Sequence, residues 1–444
     1  MAKVIKLHKG LTVNLCGVAA QEIHEAKASE VYGLVPDAFC GVKPKVVVRE
    51  GDAVKAGDAL FVDKQHPEVC FTSAVSGKVA KVERGDRRKV LSIQVAADQD
   101  QQYVDFGAGV PDTKEAVMDK LLKSGLFGYM LQRPYAVTCN PEDAPKGIFV
   151  SLFCDMPLAQ DFSFTLKDEV ANLQLGIDAL SKVAKVYVGI SSQLSALSSQ
   201  LKNCELTVFE GKCPAGNVGV QINHTCPVNK GEVVWTLGAE ELLFVGRLFA
   251  TGKLDLTRTI AVAGEMEQPC YVKAKVGAKI SDVVAYSKTK AGAVLIDGNP
   301  LTGAETSLDG FLGAHTTEVT AVKDGSHADE AFGWIMPRFA QFSMSRLYFS
   351  WLCGKKRYSL DNRIKGGHRH MIFSGEYEKV FPMDIYPEQL VKAIIAGDID
   401  KMEALGIYEV APEDFAMCEF VCSSKVELQR IVREGLDMLR KENS

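Results

Sequence analysis

Apolar and polar positions change period several times along the 444-residue chain. Residues 45–62 alternate over short runs, and Gly51-Asp52 and Gly57-Asp58 supply turns between them. Residues 69–72 and 78–82 continue the pattern around Ser76-Gly77, so the first hundred residues read as a small sandwich of short strands. Residues 114–125 switch to helical spacing, with Val117, Leu121 and Leu122 on one face and Ser124-Gly125 as a stop signal. Arg133-Pro134 and the prolines at 141 and 145 mark a loop. Apolar runs at 147–153, 185–189 and 205–209 have strand length and alternate with helix candidates at 169–180 and 191–202. That order predicts a parallel sheet with right-handed crossovers. Residues 257–325 return to strands at 259–263, 271–275 and 293–296, with one helix at 280–286. The chain ends in helix candidates at 387–396, 398–405 and 425–441. Leu428, Ile431, Val432, Leu436 and Leu439 line one face of the last, which Gly435 interrupts.

These periods predict an α+β multidomain chain. Its expected parts are a barrel-sandwich module over 1–104, an α/β parallel-sheet domain over 105–256, a β-grasp-like (SLBB-type) module over 257–330 and a mixed, helical region over 331–444. Charge adds an exclusion: the balance of −5 lacks the basic excess of a nucleic-acid binder. Twelve cysteines are spread without a Cys-x-x-Cys pair, which reads as reduced thiols. The first ten residues are charged and lack the apolar core of a signal peptide. The best apolar stretch, 233–250, is broken by Glu240, Glu241 and Arg247, so no membrane span is expected.

Gly51-Asp52, Val54, Leu60, Asp63-Lys64 and Ser76-Gly77 resemble biotinyl/lipoyl-carrier modules. Lys64 follows a strand directly, three residues early for a modified lysine, and reads as structural. A longer series is more specific: Lys9-Gly10-Leu11, Ser124-Gly125-Leu126-Phe127, Arg133-Pro134-Tyr135, Pro214-Ala215-Gly216, His224 with Pro227-Val228, and the segments at 248–252, 333–337, 375–384, 396–398, 404–406 and 418–422. In this order they resemble the A subunits of sodium-translocating NADH:quinone oxidoreductases. The resemblance implies a peripheral cytoplasmic subunit of a respiratory complex of the bacterial inner membrane, in which NADH oxidation and the reduction of a quinone, ubiquinone or menaquinone, drive Na+ export. The implied partners are the other subunits, chiefly the flavin-carrying membrane component, the B subunit. It also implies kinship with the flavin- and NADH-binding subunit of respiratory complex I.

That kinship sets a residue-level test. A flavin or NADH phosphate needs a glycine-rich loop whose backbone N–H groups approach closely. Here the loop reads Gly125-Leu126-Phe127-Gly128-Tyr129-Met130, with bulky side chains where a dinucleotide would lie. No flavin of the chain's own is expected. Cubane clusters need four thiolates, and Cys418 and Cys422 supply two, which read as a structural pair. His368 and His370 read as a solvated basic loop, and His224 as a packed histidine. No catalytic residue and no metal ligand set is expected. A quinone head needs an apolar slot with one or two hydrogen-bond donors; Leu126, Phe127, Tyr129, Arg133 and Tyr135 offer those types and are the expected quinone-proximal residues. The basic and aromatic stretch 351–358, with Lys355, Lys356 and Arg357, suits an anionic lipid surface or an acidic partner edge equally. Two other readings stay open: a soluble FMN-dependent NADH dehydrogenase subunit, which would be yellow, and a lipoyl or biotinyl carrier, which would show added mass at Lys64.

Overall fold

A computed structural model describes residues 3–326, 336–344, 346, 348–354 and 356–443. Gly333, Trp334 and Ile335 of the 333–337 motif, and Lys355 of the basic stretch, lie outside the described residues.

The largest sheet has seven strands in the order Lys3–Lys6, Glu205–Glu210, Val186–Ser191, Ile148–Ser151, Val234–Gly238, Leu131–Arg133, Val137–Thr138. The first five run parallel and the last two are antiparallel additions at one edge. The central strands are apolar on both faces, as a sheet covered by helices on both sides requires. On one face the Val170–Ser181 and Ala239–Thr251 helices pack closely, because glycines stand at the crossing. A Cβ on Gly246 would come within 1.9 Å of the Asn172 carbonyl oxygen, and one on Gly176 within 2.8 Å of the Leu242 carbonyl. On the other face the Val218–Thr225 helix buries Ile222 in a small core with Phe149, Val228 and Val234.

The N-terminal module holds two small antiparallel sheets, one of Val31–Leu34, Val90–Ala97, Gly77–Arg84 and Ala53–Val54, the other of Pro44–Val46, Ala59–Asp63 and Cys70–Thr72. Phe61 and Phe71 stack at 4.4 Å in its interior. The residues before Val31 are shared out to the neighbours. Lys3–Lys6 edges the large sheet, and Ala20–Glu25 runs parallel to Cys270–Lys275 in the third module. That third module is a six-stranded sheet, Ala304–Thr306, Ala293–Asp297, Glu318–Lys323, Thr257–Gly264, Cys270–Lys275, Ala20–Glu25, with the short helix Ile280–Val283. The C-terminal helices Pro387–Ala396, Ile399–Ala404, Ala416–Val421 and Leu428–Glu442 build a second core around Leu390, Phe415 and Leu436. Gly435 has a reason there: a Cβ would meet Ile394 Cγ2 at 2.8 Å where two helices cross.

Sequence and structure differ in detail. Residues 191–202 form a 3-10 helix over Ser192–Ser199, and the helix expected at 280–286 is the single turn Ile280–Val283. The segment read as a loop around Arg133-Pro134 contains the short antiparallel strands Leu131–Arg133 and Val137–Thr138, and Pro134 falls in the turn between them, where no ladder hydrogen bond is lost.

Candidate functional site

The segment expected to meet quinone begins where the Lys114–Ser124 helix stops. Thr113 caps that helix by accepting from the Ala116 amide at 3.4 Å, and Gly125 closes it with φ +82°. Positive φ suits glycine, and a Cβ here would lie 2.6 Å from Thr72 Oγ1 of the barrel. The chain therefore turns inward, and the next residues enter the seam between barrel and sheet. Leu126 and Phe127 are wholly buried, and Tyr129 is nearly so. Phe127 meets Trp235 edge-on at 5.4 Å, while Tyr129 meets Phe39 at 5.5 Å and Phe244 at 6.0 Å. Burial pushes the Tyr129 phenol well above its ordinary value. The three side chains belong to one continuous core shared by the barrel and the α/β sheet.

Arg133 and Tyr135 diverge from that core toward the C-terminal helices. The Arg133 side chain is 2% exposed, and its Nη2 donates to Glu413 Oε1 at 2.7 Å. Desolvation pushes Glu413 up, but the Arg133 charge wins and holds its carboxyl below the usual value. The neighbouring Asp414 is pushed above the usual carboxylate value by burial and by the Glu413 charge, and it accepts from Asn217 Nδ2 at 3.1 Å and the Ala411 amide at 2.9 Å. Tyr135 is half-buried. Arg433 grips the backbone beside it, donating to the carbonyls of Tyr135 at 2.6 Å and Ala136 at 3.1 Å. The five residues thus form a joint: three lock the barrel to the sheet, and two tie the sheet to the C-terminal helices.

An open crevice lies elsewhere, at the carboxyl ends of Ile148–Ser151, Val186–Ser191 and Glu205–Glu210. This is where a parallel sheet ordinarily presents a ligand. Its volume is 540 Å³, and its lining includes Asp155, Asp161, Ser163, Ser191, Gln193 and Glu210, without any lysine or arginine. Asp155 Oδ1 accepts from the Gly216 amide at 3.1 Å; burial lifts its carboxyl to about 6 against that hydrogen bond. Sequence reading missed this crevice although it had identified the three strands; the signal was the topology itself. Next to it, Gln160 donates to Glu240 Oε1 at 2.8 Å, and burial lifts Glu240 to about 7. Beyond Glu240, the buried Arg258 pairs with Glu241 at 3.0 Å and donates to the carbonyls of Ala314 and Thr316.

The remaining candidates are dispersed. Cys418 and Cys422 are buried, Tyr377 Oη donates to Cys422 Sγ at 2.9 Å, and burial pushes the Cys418 thiol far up. His368 is exposed and its Nδ1 lies 2.9 Å from the Lys425 carbonyl; His370 is exposed. His224 Nε2 lies 2.8 Å from the Pro382 carbonyl, joining the sheet domain to the C-terminal one. Lys64 is exposed, with its amide held by the Lys43 carbonyl at 2.9 Å. Among the described residues no group of three or more His, Cys, Asp or Glu is placed to hold a metal ion.

Two family models match the chain: the NqrA N-terminal barrel-sandwich hybrid domain over residues 5–98 and the NqrA second alpha/beta domain over 112–254. The A subunit of the Na(+)-translocating NADH-quinone reductase of Neisseria meningitidis is 33% identical over 448 residues, 99% of this chain and 100% of its own. The chain belongs to the NqrA family. Its similarity to the corresponding A subunit of Yersinia pestis is 32% over 447 residues, with the same coverage. The joint at 124–135 and the crevice both fall inside or beside the second matched NqrA domain. Among solved structures, an NAD+-reducing NiFe-hydrogenase in the air-oxidized state is 13% identical at a TM-score of 0.39, covering 74% of this chain; this chain spans 61% of that one.

Proposed function

We propose that the chain is the A subunit of a sodium-translocating NADH:quinone reductase, in which it is a peripheral scaffold without a flavin or iron–sulfur centre of its own. The observation that carries this is the end-to-end similarity to relatives named as that component of the reductase. Two features of the interior support the scaffold role. The loop at 125–130 is packed core, and the strand-end crevice presents carboxylates where a dinucleotide would bring phosphates. No helix among the described residues is long and apolar enough to cross a membrane. In this reading the chain sits on the cytoplasmic face of the inner membrane against the flavin-carrying B subunit. Quinone is the substrate of the whole complex, and Leu126, Phe127, Tyr129, Arg133 and Tyr135 serve the quinone end of the path by fixing the joint between domains.

The test is co-purification. A tagged chain expressed with its neighbouring subunits should bring down an assembly that oxidises NADH with quinone. The same chain purified alone should be colourless, unreactive toward NADH and unmodified at Lys64. Stoichiometric flavin in the isolated chain would restore the dehydrogenase reading, and added mass at Lys64 the carrier reading. In the assembly, a photoreactive quinone that labels peptides within 120–140 would make the joint a substrate contact.

A further inference from the structure

Residues 331–360 contain no aspartate or glutamate, five lysines and arginines, and two of the chain's three tryptophans. The segment contributes +5, which leaves −10 for the remainder of a chain whose balance is −5. A soluble surface normally mixes both signs of charge, so thirty positions without a carboxylate are a local departure. The described part of the segment also exposes large apolar side chains. Met336, Phe339, Phe349 and Leu352 are 57%, 49%, 53% and 64% exposed, and Trp351 is 44%.

These residues form a connected surface. The Phe339 and Phe349 rings lie 5.9 Å apart, and the Phe349 amide donates to the Pro337 carbonyl at 3.0 Å. The Arg346 guanidinium stands 5.1 Å from the Trp351 ring, and Lys356 Nζ donates to the Phe339 carbonyl at 2.7 Å. Arg346 and Arg357 are exposed. Aromatic and aliphatic side chains standing out among cations are what a protein presents to the headgroup layer of a bilayer. The rings enter the interface, and the cations pair with anionic headgroups. A protein interface also gathers aromatic side chains, Met and Arg, and the salt dependence of vesicle binding separates it from a bilayer.

We infer that the surface carrying Met336, Phe339, Arg346, Trp351, Leu352 and Arg357 docks on an anionic lipid bilayer, so that the chain meets the membrane directly as well as through its protein partners. This rests on the proposed place of the chain in a membrane complex. With no spanning helix among the described residues, contact with the bilayer falls to the surface.

The experiment uses the whole purified chain and sedimentation with vesicles of phosphatidylcholine alone or of phosphatidylcholine with phosphatidylglycerol. Binding should appear only with the anionic vesicles and should vanish at high salt. R346Q/R357Q should weaken it about 25-fold, at about five-fold per cation near an anionic surface. W351A/L352A should weaken it at both low and intermediate salt. All four positions are exposed, so the fold should survive, and the salt titration of the unaltered chain needs no variant. No binding to anionic vesicles at low salt, or equal binding by R346Q/R357Q, overturns the inference. So does a chain that ignores vesicles yet loses its place in the assembled complex on R346Q/R357Q, since the face then belongs to a protein partner. These outcomes leave the proposed membership of the reductase standing. Failure of the unaltered chain to assemble would refute that membership whatever the vesicles show.

Discussion

Replacing Phe127 by alanine separates a packed joint from a ligand slot. The side chain is fully buried and meets Trp235 edge-on at 5.4 Å. Trp235 in turn sits on a strand held on both sides by its neighbours. Such a strand cannot collapse into the vacated volume, so the full cost of lost burial plus cavity applies, about 3–5 kcal/mol for Phe to Ala. The cooperative unit that shares this core runs through the barrel and the α/β sheet, about 220 residues, with an unfolding entropy near 2.1 cal/mol/K per residue. The shift is then about 6–11 °C in Tm. Circular dichroism melts of the whole chain at fixed pH measure it directly. A ring bordering an open slot would already lack contacts on one side, and its removal would cost far less. A shift under about 2 °C, corresponding to about 1 kcal/mol, would refute the packed-joint reasoning and favour a slot at 126–135.

Three further outcomes follow from the same structure. A double-mutant cycle of Arg133→Met and Glu413→Gln should give a coupling of about 1–2 kcal/mol in chemical unfolding; Arg133 is buried but Glu413 is 40% exposed, which keeps the value below that of a fully buried pair. Gly246→Ala gains helix propensity of about 1 kcal/mol, yet its Cβ would lie 1.9 Å from the Asn172 carbonyl oxygen, so Tm should fall rather than rise. Asp155 and Glu240 are held at about 6 and about 7 in the fold, and Asp414 is likewise raised, against about 4 when unfolded. The folded chain therefore binds more protons in that window, and their contribution is fully present below the unfolded values and lost as pH rises through 6 to 7. Melts should show a higher Tm at pH 5.5 than at 7.5, and Glu240→Gln should reduce the difference; a Tm that rises across this interval would contradict the burial of these carboxyls.

How much the sequence revealed depended on where each element found its partner. Ile148–Ser151, Val186–Ser191 and the Leu206–Phe209 stretch of Glu205–Glu210 were legible because doubly covered strands are rich in apolar residues, and their alternation with helices named the sheet as parallel. The run 233–250 was legible as apolar but not as two elements. It divides into the strand Val234–Gly238 and the helix Ala239–Thr251, both buried, and period cannot separate two buried elements. Lys3–Lys6 has nothing local to declare it; it is a strand because Glu205–Glu210 lies beside it, some two hundred residues away. The residue types of the joint were legible, but their surroundings were not. Leu126, Phe127 and Tyr129 could line a slot or fill a core, and their contacts with Trp235, Phe39 and Phe244 could not be read from residue types. Arg133 looked like a donor for a ligand until Glu413, 280 positions later, supplied the acceptor.

The crevice at the strand ends shows why an interior of this kind favours a scaffold. A dinucleotide would place two phosphate charges near Asp155 and Asp161 in a lining without lysine or arginine, while Glu210 beside them already has Lys6 at 3.7 Å. At an effective dielectric of about 20 and a separation of about 6 Å, each like-charge pair costs roughly 3 kcal/mol. Several such pairs exceed what one helix N-terminus returns, about 0.3–2 kcal/mol. Asp155, held at about 6, is mostly ionised at neutral pH and would have to take up a proton to relieve even one pair. The carboxylates at the strand ends are the part of the structure that supports the proposed scaffold reading. The arginines that could have served phosphate are committed to joints instead: Arg133 to Glu413, Arg258 to Glu241, and Arg433 to the backbone at 135–136.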